Sequence, residues 1–190
     1  RIKENYMKNF FSYGGEYSAH KIYQNDIKNL PFKNGEFYMS GRYALESIFK
    51  KNSSLLNKDI YLPIYNCPSV YFIVKKFFKK INFYDLDKKF NPNIKKISKN
   101  SVILVVNYFG KNSSFKKKNI KVIEDISHNY FNKIKLNKNY YYFASLRKHG
   151  IFNYGGWTNI ENKKKIRSTN LNLLNNYRYR KYQYIKKRIK

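Results

Sequence analysis

Ser101-Val102-Ile103-Leu104-Val105-Val106-Asn107-Tyr108, closed by Gly110, is an apolar run rich in β-branched residues with no polar–apolar alternation. A strand wetted on one face alternates, whereas a strand buried on both faces does not. Strands of the second kind belong to parallel sheets, whose crossover connections lay chain over each face. The run therefore predicts an α/β domain: a mostly parallel sheet covered by helices on both faces.

The flanking sequence agrees with that frame. Upstream, 59–64 and 81–86 read as strands, with 68–78 between them as a helix. Earlier still, Ala44, Leu45, Ile48 and Phe49 recur at helical spacing. Ser40 is a natural N-cap for that helix, which should end near Lys51-Asn52. Downstream, 120–126 and 140–146 read as strands, and Gly155-Gly156 opens a last one that runs to Ile160. The intervals after Ile126 are too short for helical crossovers, so some late strands are joined by loops, with room for one antiparallel strand. The expected division is an N-terminal segment 1–39, a sheet domain 40–162 and a charged C-terminal helix 163–190. The first segment is polar and aromatic, with a Gly14-Gly15 turn and no firm periodicity.

A chain of 190 residues is one domain's worth, and a hydrophobic share of 42% can fill a core. Twenty tyrosines and fifteen phenylalanines supply much of that bulk, unlike a disordered composition. The longest apolar run, 102–106, is strand-sized and cannot span a bilayer. The single cysteine, Cys67, excludes an internal disulfide and a cysteine metal cluster, and no metal is expected. With no charged-then-apolar leader at Arg1, the cytoplasm is the expected location.

The net charge of +29 would suit a nucleic-acid binder. However, lysine dominates, spread among Asn, Ile, Tyr and Phe, the residues that AT-rich codons encode. Few arginines are present to make the bidentate contacts that read bases. Composition bias accounts for the charge, and nucleic acid is not the expected partner.

Four segments carry chemistry when taken together. Ser40-Gly41-Arg42-Tyr43-Ala44-Leu45 places a serine and a glycine at a helix start, where free N–H groups and the helix dipole favour an anion. Tyr61-Leu62-Pro63-Ile64-Tyr65-Asn66-Cys67-Pro68 runs from a strand into a helix. Ile123-Glu124-Asp125-Ile126-Ser127-His128 sets a carboxylate and an imidazole at a strand end. Ser145-Leu146-Arg147-Lys148 precedes Gly155-Gly156 after a short loop. Each alone is compatible with an ordinary capped helix, strand end or surface lysine.

In this order, over about residues 35–160, the segments resemble the DegT/DnrJ/EryC1/StrS family of sugar aminotransferases, which have the aspartate-aminotransferase fold (fold type I) and use pyridoxal 5'-phosphate. The resemblance implies that Lys148 forms the imine with the cofactor, that Asp125 pairs with its pyridine nitrogen, and that His128 lies near its phenolic oxygen. It implies that Ser40, Gly41, Arg42 and Ser145 surround the phosphate. For the residue stacked on the ring it leaves Tyr65 and Cys67 both open. The implied reaction is amination of a nucleotide-linked keto sugar, with glutamate as the usual amino donor, in a homodimer. A positive field suits such an anionic substrate. Related dehydratases carry His where the aminotransferases carry Lys, so Lys148 favours the aminotransferase, although His149 adjoins it.

The stretch from His128 to Ser145 is shorter than in the family. Family members also continue past the position of Lys190 into a smaller domain that helps close the site. Two alternatives therefore stand beside the enzyme: an inactive or truncated remnant that keeps the fold, and a basic nucleic-acid- or anion-binding protein.

Overall fold

The computed structural model describes residues 35–115, 119–129, 139–149 and 155–160. The chain divides into two units, Arg1–Ile160 and Glu161–Lys190. The second unit, with the helix expected from Lys163, lies outside the described residues, as do the Gly14-Gly15 turn and the rest of the N-terminal aromatic segment up to Asn34.

The first unit holds eight strands: β1 (Glu36–Tyr38), β2 (Asp59–Pro63), β3 (Ile81–Leu86), β4 (Pro92–Asn93), β5 (Ser101–Val106), β6 (Lys121–Asp125), β7 (Tyr140–Ser145) and β8 (Gly156–Thr158). Two α-helices lie among them, α1 (Gly41–Lys51) and α2 (Pro68–Lys75). The strands form one mixed sheet in the order β1-β8-β7-β6-β5-β2-β3-β4. Five neighbours, β3, β2, β5, β6 and β7, are mutually parallel. The antiparallel pairs are β3–β4, β7–β8 and β8–β1.

The mostly parallel α/β sheet is the one the sequence predicts, and all six residues of β5 are buried. β8 is the late antiparallel strand for which the short intervals left room. β1 was not anticipated, because three residues are too few to show a period. It gains its place only by pairing with β8, through Phe37 opposite Trp157.

α1 buries Ala44, Leu45, Ile48 and Phe49, the face its spacing defines. Lys50 and Lys51 in its last turn complement the helix dipole. α2 begins at Pro68, whose missing N–H costs nothing in a first turn. It ends at Lys75 instead of Phe78; the chain then turns back, and Phe77 and Phe78 set their rings 5.3 and 5.1 Å from that of Phe49.

Both helices pack on one face of the sheet. There Leu45, Phe49, Val74, Ile60, Leu62 and Leu104 form the main apolar cluster. The opposite face carries Tyr84, Ile103, Val105 and Val122, and among the described residues it is covered by loop side chains of Ile94, Ile97 and Phe115. A fully buried leucine such as Leu104 contributes about 2 kcal/mol by leaving water. No helix among the described residues is long and apolar enough to cross a membrane.

Candidate active site at the C-terminal strand ends

β2 is followed in the chain by β3 on one side, whereas β5 lies on the other side of β2 and β6 and β7 continue outward from it. The strand order therefore reverses between β2 and β5. In open parallel sheets the crevice beyond the strand C-termini at such a point is where ligands bind. Tyr65 and Cys67 follow β2, Tyr108 follows β5, His128 follows β6 and Lys148 follows β7.

Asp125 ends β6 with its carboxylate buried, accepting the Ser127 N–H at 2.9 Å. Burial raises its proton affinity above the usual carboxylate range, against the opposing pull of Ser127, His128 and Lys148. His128 is shifted the other way. Burial lowers its basicity and Lys148 lowers it further, while Asp125 opposes both, and the net shift favours the neutral imidazole. Lys148 thus acts electrostatically on both groups.

Lys148 also acts on Cys67. Burial raises the thiol's pKa, but the hydroxyl and N–H of Ser69 and the charge of Lys148 outweigh it, and the net shift is downward. The Cys67 Sγ lies 3.1 Å from the Ser69 Oγ. Tyr65 instead sets its ring 5.6 Å from that of Tyr108, and its carbonyl accepts the Tyr108 hydroxyl.

The strand ends are tied laterally. The Ser145 N–H donates to the Ser127 Oγ at 2.8 Å, and the Asn107 N–H donates to the Asp125 carbonyl at 3.0 Å. The Asn107 side chain donates to Glu124 at 3.4 Å and accepts the Ser113 N–H at 2.9 Å. Asn107 is a positioning residue that the sequence reading missed. A polar side chain at the end of an apolar run is its only local signal.

The start of α1 sits against β7 and β8. A Cβ on Gly41 would lie 2.9 Å from the Ser145 Cβ, and one on Gly156 would lie 2.2 Å from the Ser40 carbonyl. Ser40 forms an isolated bridge with Gly155. It occupies the N-cap position in extended conformation, as its sequence suggests, yet its side chain makes no capping bond. Its hydroxyl oxygen is buried and has no hydrogen-bond partner among the described residues. Ser40, Gly41 and Ser145 are thereby gathered at a helix N-terminus whose first N–H groups have no intrahelical acceptor. Arg42, one residue on, is exposed.

No family model matches the chain, and no curated protein matches it. Solved structures do. Spr1654 from Streptococcus pneumoniae, assigned as a sugar aminotransferase and solved in PLP and PMP forms, aligns at 14% identity with a TM-score of 0.52. That alignment covers 73% of this chain and 43% of the PMP-form chain. A 3-amino-5-hydroxybenzoic acid synthase aligns at 13% identity and a TM-score of 0.50, over 65% of this chain and 37% of that one. The likeness is one of fold, and it is the fold of fold-type-I aminotransferases. The chain spans about two fifths of the length of these neighbours.

Proposed function

We propose that this chain is the cofactor-binding part of a pyridoxal-phosphate-dependent aminotransferase acting on a nucleotide-linked keto sugar in the cytoplasm. The observation that carries the reading is the buried Asp125 carboxylate at the sheet's C-terminal edge, under the electrostatic influence of both Lys148 and His128. Desolvation outweighs the pull of these neighbours on the acid, and a protonated pyridine nitrogen would supply the further positive charge that holds it ionised. The unpaired, buried Ser40 hydroxyl beside Gly41 and Ser145 lacks a partner that a phosphate supplies. The residues present fit the cofactor at both ends.

In this reading Ser40, Gly41, Arg42 and Ser145 hold the phosphate, Asp125 holds the ring nitrogen, and Lys148 carries the aldehyde carbon. Cys67, which shares the field of Lys148 and Asp125, is favoured over Tyr65 for the face of the ring, since Tyr65 turns to Tyr108. The bound cofactor supplies an electron sink for the carbon that loses its proton. Lys148, as a free amine, takes that proton from the amino donor, glutamate, and returns one on the way to product. Asp125 keeps a proton on the ring nitrogen, and His128, neutral, donates or accepts a hydrogen bond at the ring's edge without adding charge. Residues 40–162 form the cofactor unit and 163–190 lead toward a smaller domain. A homodimer completes the site.

The test is chemical trapping. After incubation with pyridoxal phosphate and reduction with borohydride, peptide mass analysis should find the pyridoxyl group on Lys148. A label spread over surface lysines, unchanged in Lys148→Ala, refutes the assignment. Specific labelling without turnover of a nucleotide-linked keto sugar and glutamate identifies the inactive remnant instead.

A further inference from the structure

Ser127 follows β6, two residues after Asp125, and is buried. Its N–H donates to the Asp125 Oδ1 at 2.9 Å, and its Oγ accepts the Ser145 N–H at 2.8 Å. One small side chain thus joins the acid to the end of β7, which carries Ser145 and, three residues on, Lys148. The turn that holds it is fixed by backbone. The Ile126 N–H donates to the Phe143 carbonyl and the Asn129 N–H to the Ile126 carbonyl, both at 2.9 Å.

These bonds give the hydroxyl proton a direction. The Oγ takes the Ser145 N–H on a lone pair and keeps its own O–H to donate, whereas an ionised carboxylate only accepts. A hydroxyl that is itself accepting a hydrogen bond is polarised and donates more strongly. Burial raises the proton affinity of Asp125, and the largest pull against it comes from the Ser127 hydroxyl, ahead of the Ser127 N–H, His128 and Lys148. The titratable groups that face Asp125 are His128 on its own segment, Lys148 after β7, Cys67 ahead of α2 and Tyr108 after β5. Those four couple to it through charge; among the described residues Ser127 is the one that hydrogen-bonds the carboxylate.

We propose that Ser127 is a positioning residue that orients the Asp125 carboxylate and favours its ionised form, by relaying the Ser145 N–H to it through the Ser127 hydroxyl. The relay belongs to the protein without cofactor. What Asp125 then holds, the ring nitrogen, rests on the aminotransferase reading. An ionised acid keeps a proton on that nitrogen, and an acid that retains its own proton does not. Ser127 therefore ties the acid that faces one end of the cofactor to the strand whose residues meet the other.

The test is titration of the Asp125 side-chain carboxyl by carbon NMR in the full chain without pyridoxal phosphate, its signal identified by loss in Asp125→Asn. Ser127→Ala keeps the N–H and removes the hydroxyl, so the Asp125 midpoint should rise by about one pH unit, the size of one hydrogen bond to a charged group. Ser127→Thr, which restores a hydroxyl, should bring it back toward wild type. Ser127→Cys, close to serine in size but a weaker donor, should give part of the rise and keeps the test decisive if Ser127→Ala misfolds. Between the two midpoints, Ser127→Ala should bind pyridoxal phosphate up to about tenfold more weakly, because more of the acid is protonated. An unmoved midpoint in Ser127→Ala and Ser127→Cys overturns the proposal. So does an equal rise in Ser127→Thr, which would make packing the cause. Borohydride trapping on Lys148 separates the two readings. A shifted midpoint without any adduct keeps the relay and removes the aminotransferase alone, and an adduct with an unmoved midpoint removes the relay alone.

Discussion

Gly41, at the first turn of α1, lies so close to Ser145 at the end of β7 that an added Cβ would come within 2.9 Å of the serine Cβ. The contact joins two segments about a hundred residues apart and sets the helix N-terminus against the end of β7, three residues before Lys148 in the chain. Gly41→Ala should therefore cost about 1–3 kcal/mol, as overpacking does. Gly156→Ala should cost more, because its Cβ would lie 2.2 Å from the Ser40 backbone, which cannot swing aside as a side chain can. Denaturant midpoints of the two variants check the order.

Asp125→Asn should trade stability against function. The folded carboxyl holds its proton to higher pH than the unfolded one, because burial raises its pKa. As pH rises above the usual carboxylate range, the unfolded state loses that proton first and the wild type loses stability. Asn carries no such cost and can still accept the Ser127 N–H. The variant should be as stable as wild type at low pH and more stable at neutral pH, while losing turnover. Melting temperatures across pH, beside an activity assay, read both effects.

Lys148→Ala should be visible without any cofactor. Its charge helps to depress the Cys67 thiol and the His128 imidazole. Removing it should slow alkylation of Cys67 at neutral pH and raise the pKa of His128. Cys67 is the single cysteine, so thiol-reagent kinetics report one site. Unchanged kinetics and an unchanged histidine titration by NMR would place Lys148 away from both.

Leu104→Ala should cost about 2–5 kcal/mol, since a fully buried central-strand leucine leaves a cavity that β5, packed on both faces, cannot close. Tyr84→Phe should cost about 0.5–1.5 kcal/mol through the hydroxyl bond to the Leu104 carbonyl, 2.7 Å long. Urea unfolding of each variant checks both figures.

Dimer formation should rise with ionic strength. A net charge of +29 repels a second copy at long range, and salt screens that repulsion. Sedimentation at low and high salt, with pyridoxal phosphate present, tests this. A monomer under all conditions would favour the remnant reading.

The buried run 101–108 and the helical spacing of Ala44, Leu45, Ile48 and Phe49 were enough to read a mostly parallel α/β sheet, because burial on two faces and a helical stripe leave periodic marks in the chain. The acid and imidazole at 125 and 128 and the serine–glycine start at 40 and 41 were legible as single segments. The contact of Gly41 with Ser145 was not, since segments so far apart in the chain share no local signal. Tertiary structure alone set Gly41 on Ser145, left the Ser40 hydroxyl buried and unpaired, and turned Tyr65 toward Tyr108 while Cys67 stayed in the field of Lys148. It alone gathered Phe90, Tyr65, Tyr108 and Phe109 into one cluster of rings, with His128 against Phe109. Strand order across the sheet decides which loops become neighbours, and that order is written in long-range pairings, not in any one stretch of sequence.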